Sequence, residues 1–351
     1  MNDSSEVRKA FFEQAQWCQR LGSPFTARLC EALASGLTGD TDIGREILEW
    51  RGNPFAKADA LPLRVAGALH ALARSGEEPE LARWYPPAAL PEPQPLWQAC
   101  RNAFGRHAAH VRRYLSGAPQ TNEVGRSAVL MAGFLVFAHR FATPVHLFEI
   151  GASAGLNLVP DRYRYRFGDA TWGDSRASVE LAPAWTGNPP PVDARFQVVT
   201  RQGSDIAPLD VTLPAVRARL LSYVWPDQTE RLARLDAALQ TKLAHPTAIE
   251  AMEAAAWVER HLPPDDGSRP GGRVLFHSVL WHYLPPDTQL RIETRVAACG
   301  AAANSARPFG WLRLELDASG RAALLLSSWP GGDAVKIADS HPHGSAVNYL
   351  L

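Results

Sequence analysis

Apolar positions recur at helical spacing through the first ~140 residues and in short strand-like runs after Val145, so the chain changes character once along its length. Val7, Phe11, Ala15, Cys18 and Leu21 share one face at a period of 3.6, and Gly22 ends the run. Ser23-Pro24 restarts it as an N-cap followed by proline at the first helical position, with Phe25, Leu29, Leu33 and Leu37 along the buried stripe. Further helices are expected over Ile43–Trp50, Leu61–Arg74 and Leu96–Leu115. Pro86-Pro87, Pro91, Pro93 and Pro95 make a stiff connection between the last two.

Beyond Val145, β-rich runs alternate with longer amphipathic ones, which is the signature of an α/β domain. The strands expected are Val145–Ile150, Phe196–Thr200, Ala248–Met252, Val274–Ser278 and Gly310–Leu316. The helices are Leu213–Tyr223, Asp227–Ala244, Ala254–His261 and Pro286–Cys299. Ala322–Ser328 and Ala334–Ile337, around Pro330-Gly331-Gly332-Asp333, read as a closing hairpin, and no internal repeat is visible. Asp161 to Phe167 alternates basic and aromatic residues. Period two favours a half-buried strand with its arginines outward over a nucleic-acid surface.

A chain of 351 residues is long enough for a sizeable core. Its formal net charge is zero, which removes any global electrostatic footprint for nucleic acid or anionic membrane. Met1–Arg8 is polar and charged rather than a signal segment, and the longest apolar stretch, Ala128–Ala138, is roughly half of the ~20 residues a bilayer span needs. Cys18, Cys30, Cys100 and Cys299 lack metal-ligand spacing and read as reduced, buried thiols, so a cytoplasmic protein without membrane or nucleic-acid partners is expected. The eleven tryptophans spread from Trp17 to Trp329 and imply large apolar contacts throughout rather than one stacking platform.

Candidate chemistry concentrates in Glu149-Ile150-Gly151-Ala152-Ser153-Ala154-Gly155-Leu156-Asn157, at a strand-to-helix turn. As Gly-x-Ser-x-Gly it is a hydrolase nucleophile elbow presenting Ser153. As Glu-x-Gly-x-x-x-Gly-x-Asn it is a first loop whose small residues let backbone N–H groups approach a cofactor. The elbow reading lacks a preceding sheet and a His-Gly-Gly-Gly-type oxyanion run. Asp205 or Asp227 with His341 or His343 would supply its other members. The cofactor reading requires acids at the ends of the next strands. Asp205 follows the second and is suited to ribose hydroxyls, and Glu253 follows the third and is suited to an adenine amino group. The fourth leads into Val279-Leu280-Trp281-His282-Tyr283-Leu284-Pro285, beside which a substrate would lie.

Glu149 to Asn157, Asp205, Glu253 and Ser278 to Leu284 together resemble the class I S-adenosylmethionine-dependent methyltransferase superfamily. More closely, Gly22–Arg28, Pro119–Ser127, Glu149–Leu158 and Tyr223–Gln228 resemble a bacterial family known as domain of unknown function 2332, across nearly the whole chain. The resemblance implies a Rossmann-like, mostly parallel sheet. Residues 1–118 are expected to form an all-helical N-terminal region, and residues 119–351 the cofactor-binding domain with an insertion at about 161–195. It implies methyl transfer from S-adenosylmethionine to a small-molecule substrate. Gly151, Ser153, Gly155 and Asn157 would lie at the methionine portion, Glu149 would orient its ammonium group, Asp205 would take ribose and Glu253 adenine. Ser153 stands where glycine is commoner in that loop. Asp227 is a rival for the ribose role.

Asn122, Glu123, Arg126, Asp227, Trp281 and Tyr283 are assigned to the substrate pocket, and His282 to general base chemistry. Thr121-Asn122-Glu123 also suits a helix cap. His277, His341 and His343 lack a matched ligand set for a metal and read as structural or exposed. The alternatives are a methyltransferase-like binding protein without catalysis and a Ser153 hydrolase. A nicotinamide dehydrogenase would need the Gly-x-Gly-x-x-Gly that is absent here.

Overall fold

The computed structural model describes residues 4–264, 270–317 and 320–351, so the first three residues of the polar N-terminus lie outside it. The chain forms two compact units, Met1–Thr121 with Leu213–Asp236, and Asn122–Thr212 with Ala237–Leu351. The first begins with α1 (Ser4–Arg20), α2 (Pro24–Gly36), α3 (Asp42–Leu48), α4 (Leu61–Ser75), α5 (Pro79–Ala82), α6 (Pro93–Arg106) and α7 (Ala108–Leu115). The single helix expected over Leu96–Leu115 is two, because His107 leaves helical geometry at φ −121° and lets α7 start in a new direction.

The second unit opens with α8 (Arg126–Phe141), which leads into β1 (Val145–Ile150). The expected insertion carries β2 (Arg164–Phe167), β3 (Ala170–Trp172), β4 (Glu180–Leu181) and β5 (Ala184–Thr186), the first three forming a small separate sheet. Tyr165 and Phe167 are buried while Arg166 is exposed, the alternation expected of a half-buried strand. After β6 (Val198–Asp205) the chain contributes α9 (Pro214–Ser222) and the start of α10 (Thr229–Ala244) to the first unit. It continues as β7 (Ile249–Ala251), α11 (Ala254–His261), β8 (Gly272–Ser278), α12 (Pro286–Ala302), β9 (Phe309–Leu316), β10 (Ala322–Trp329), β11 (Ala334–Ser340) and β12 (Ala346–Tyr349).

The large sheet is mostly parallel, in the order β5-β12-β11-β10-β9-β8-β1-β6-β7. Strands β7, β6, β1, β8 and β9 are mutually parallel, whereas β9 to β12 form an antiparallel meander. Every residue of β1 is buried, as an interior parallel strand covered on both faces requires. Strand β6 starts later than its apolar pattern indicates and runs on to Asp205. Its polar residues Arg201, Gln202 and Ser204 are drawn into the ladder by pairing with Leu147, Phe148 and Ile150. Phe148, Ile150, Trp257, Phe309 and Trp311 belong to one core cluster of this unit.

In the helical unit the segment 213–236 packs against residues far from it in sequence. A Cβ on Gly67 would lie 2.6 Å from Tyr223 Cε1, so glycine there admits the ring. The imidazole of His70 meets the Ser222 carbonyl at 3.0 Å, and burial pushes its pKa down to about 4, which keeps it neutral. Among the described residues no helix is long and apolar enough to cross a membrane.

Candidate functional site

Register places the acids together. Ile150 pairs with Ser204 and Asp205 with Ala251, so Glu149, Asp205 and Glu253 belong to the carboxyl ends of three adjacent parallel strands. The loop after β1 turns sharply, with φ +67° at Gly151, +52° at Ser153 and +70° at Gly155. A Cβ on Gly151 would lie 2.8 Å from Leu280 Cδ1. One on Gly155 would lie 2.7 Å from Ile249 Cδ1 and 3.1 Å from Lys242 Nζ. The close approach that these glycines permit is therefore made here by the protein's own side chains. Ser153, strained by roughly 1–2 kcal/mol in the left-handed region, is held there by its amide, which donates to Asp205 Oδ2 at 2.9 Å.

The second Asp205 oxygen accepts from the Ala207 amide at 2.9 Å. Glu253 caps α11, accepting from the Ala255 and Ala256 amides at 2.8 Å each, with Arg291 at 3.4 Å. Both carboxylates thus position backbone, and the two Asp205 oxygens and Glu253 Oε1, with one donor each, keep a second acceptor site. Asp227 is in the helical unit. There it accepts from Ser23 Oγ and, at 2.8 Å, from the Phe25 amide, so it supplies the cap that the Ser23 side chain does not.

Glu149 is buried, and burial pushes its carboxyl well above the usual carboxylate range, opposed by Lys242 and reinforced by Asp205. Its Oε2 has no hydrogen-bond partner among the described residues. Asn157, which interacts with Glu149, accepts from Ser127 Oγ at 2.6 Å. Lys242 is buried too. Its ammonium donates to the Thr247 carbonyl at 3.2 Å, and burial lowers its pKa to about 8 against the pull of Glu149. Sequence reasoning missed this residue. The signal was the helical stripe Leu235, Ala238, Leu239, Lys242, which places the lysine on the buried face of α10.

The segment before α8 reaches the same strand ends. Asn122 Oδ1 accepts from the Leu156 amide at 2.9 Å, and Arg126 donates to the Pro342 carbonyl at 2.9 Å and to the Ser278 carbonyl at 3.4 Å. Glu123 accepts from the Gly125 amide at 3.0 Å, a local turn contact. Beyond β8, Trp281 stacks on buried His277 with ring centres 5.2 Å apart, while Tyr283 is 73% exposed and lies against the exposed His282. His277 Nδ1 meets Glu315 at 2.6 Å, and that carboxylate also accepts from the Leu280 and Trp281 amides. Burial works to raise the Glu315 pKa, but His277 and those amides hold it below the usual range. No group of His, Cys, Asp and Glu able to hold a metal ion occurs among the described residues.

A sequence profile of the family described as "Uncharacterized protein conserved in bacteria (DUF2332)" matches residues 8–349. The chain belongs to this family. Comparison with curated proteins found no match. In this DUF2332 chain, distant sequence motifs meet in pairs. Ser23 and Asp227 join two of them in the helical unit, and Asn122 and Leu156 join the other two in the sheet unit. The DUF2332 segments are thus structural partners as well as candidate binding residues.

Proposed function

We propose that the sheet unit binds S-adenosylmethionine at the carboxyl ends of β1, β6 and β7 and transfers its methyl group to a small-molecule acceptor. One observation carries the reading. The parallel block runs β7-β6-β1-β8-β9, a doubly wound order, with an acid at the tip of each of its first three strands around a tight glycine loop. The residues present fit such a cofactor. The Cβ positions of Gly151 and Gly155 are met by the side-chain ends of Leu280, Ile249 and Lys242, and Glu149 Oε2 is a buried oxygen with no hydrogen-bond partner among the described residues.

Bound there, the sulfonium supplies an electrophilic methyl group. Glu149 takes the ammonium of the methionine portion, and that positive charge favours its ionised form. Asp205 accepts from ribose with the acceptor sites its backbone contacts leave free, and Glu253 accepts from the adenine amino group. Ser153 and Asn157 shape the loop at the methionine portion. Asn122, Glu123, Arg126, Trp281 and Tyr283 lie towards the acceptor, where alignment supplies most of the catalysis. His282, exposed after β8, takes a proton from acceptors that must lose one.

Ser153 shares the strained turn of a nucleophile elbow. Its Oγ is buried without a hydrogen-bond partner among the described residues, so it lacks the base a serine nucleophile needs. The test is calorimetric titration of the full chain with S-adenosylmethionine, its demethylated product and NAD. Saturable binding of the first two, weakened in Glu149→Gln, is expected. Absence of binding by either would overturn the proposal. Binding without turnover across an acceptor panel would leave a non-catalytic binding protein, and labelling of Ser153 by a phosphonate probe would restore the hydrolase.

A further inference from the structure

We propose that the sheet unit also carries a pocket for a small carboxylic acid with an apolar body, anchored by Lys242. This goes beyond methyl transfer and stands or falls without it. The pocket, about 250 Å³, is bounded by the loop after β6, the end of α10 and the approach to β7, with Ala154 reaching it from the first loop. Leu209, Val211, Leu243 and Ile249 make its walls apolar, and Lys242 places a cation among them. The volume falls below the roughly 300–1,000 Å³ of drug-sized ligand sites. A short acid therefore suits it better than a nucleotide.

Charge supplies the anchor. A buried ammonium is costly unless an anion meets it, and the Thr247 carbonyl occupies one of its three donors. The charged groups around it leave it short of compensation. Glu149, on β1, is held by burial towards its neutral form. Arg201, on β6, adds positive charge but is paired with Asp161 at 2.8 Å. Asp210, on the exposed side of the pocket, is ionised, its Oδ1 accepting from the amide and hydroxyl of Thr212 at 2.9 and 2.6 Å, and its exposure lets water screen that charge. A ligand carboxylate on Lys242 Nζ would supply the missing charge, while its hydrocarbon body fills the space between Leu209 and Ile249. A bare phosphate would meet Lys242 but leave the apolar walls unfilled.

The test uses the full chain without cofactor, titrated with hexanoate, hexanol and inorganic phosphate at pH 7. Saturable hexanoate binding is expected, weakened at least tenfold in Lys242→Met, with hexanol binding unchanged by that substitution. Affinity for hexanoate should also fall as pH rises past the Lys242 pKa of about 8. Val211→Phe, which fills the cavity and leaves the ammonium in place, should abolish binding of both organic ligands and decides the matter if Lys242→Met fails to fold. Failure of hexanoate to saturate, equal affinity in both variants, or phosphate binding as tight as hexanoate would overturn the proposal.

Discussion

Asp205 is the residue at which loop support and ligand binding can be separated. Asp205→Ala removes the acceptor of two amides. The Ala207 amide is exposed and water replaces its partner, so only the Ser153 contact counts in full. A hydrogen bond to a charged group contributes about 1.5–3 kcal/mol, and relaxation of the left-handed Ser153 returns about 1–2 kcal/mol. The net loss of stability is therefore only about 1 kcal/mol, while the loop loses its fixed geometry. Cofactor affinity should fall about tenfold to a hundredfold, from the lost ribose contact alone. Asp205→Asn retains a neutral oxygen for the Ser153 amide, so stability should recover while affinity stays low. Hydrogen exchange at the Ser153 amide, urea unfolding and calorimetry with the demethylated cofactor read the three quantities. Wild-type exchange and affinity in Asp205→Ala would refute both the loop support and the ribose assignment.

Three further outcomes follow from the same contacts. Asp227→Ala should cost the helical unit about 0.5–2 kcal/mol, the range of a lost N-cap, and leave cofactor affinity unchanged. An affinity loss at unchanged stability would show that Asp227 does more than cap α2. Glu149 has a folded pKa raised above its ordinary 4.5, so the folded state binds more protons and stability falls as pH climbs from there through the folded value. Glu149→Gln should accordingly gain on wild type as pH rises from 4.5 towards the raised folded value, with a slope of at most about 1.4 kcal/mol per pH unit. A stability difference that does not vary with pH in urea titrations would show that this carboxyl is not desolvated as described. Gly155→Val adds a β-branched side chain at φ +70° against Ile249 and Lys242, and should lower stability by at least about 1–2 kcal/mol and weaken S-adenosylmethionine. Wild-type thermal unfolding in that variant would exclude the tight loop.

Local pattern determined the parts of this protein whose physics is local. The stripe from Phe25 to Leu37 and the apolar run Val145–Ile150 each bury a face or a strand by periodicity alone, and Pro24 starts its helix as expected, although Asp227 and not the Ser23 side chain supplies the cap. The glycine turn after β1 was equally legible, because left-handed geometry favours residues without a Cβ. Tertiary structure decided the rest. Strand β6 reaches Asp205 only because a buried neighbour offers hydrogen bonds to a polar segment. Residues 213–236 join the helical unit through contacts such as Tyr223 on Gly67 and Asp227 on Ser23, which no local pattern encodes. Lys242 faces Glu149 for the same reason. Burial and charge pairing are set by what the whole chain brings near a side chain, so the state of a titratable group is a property of the fold and not of its sequence neighbours.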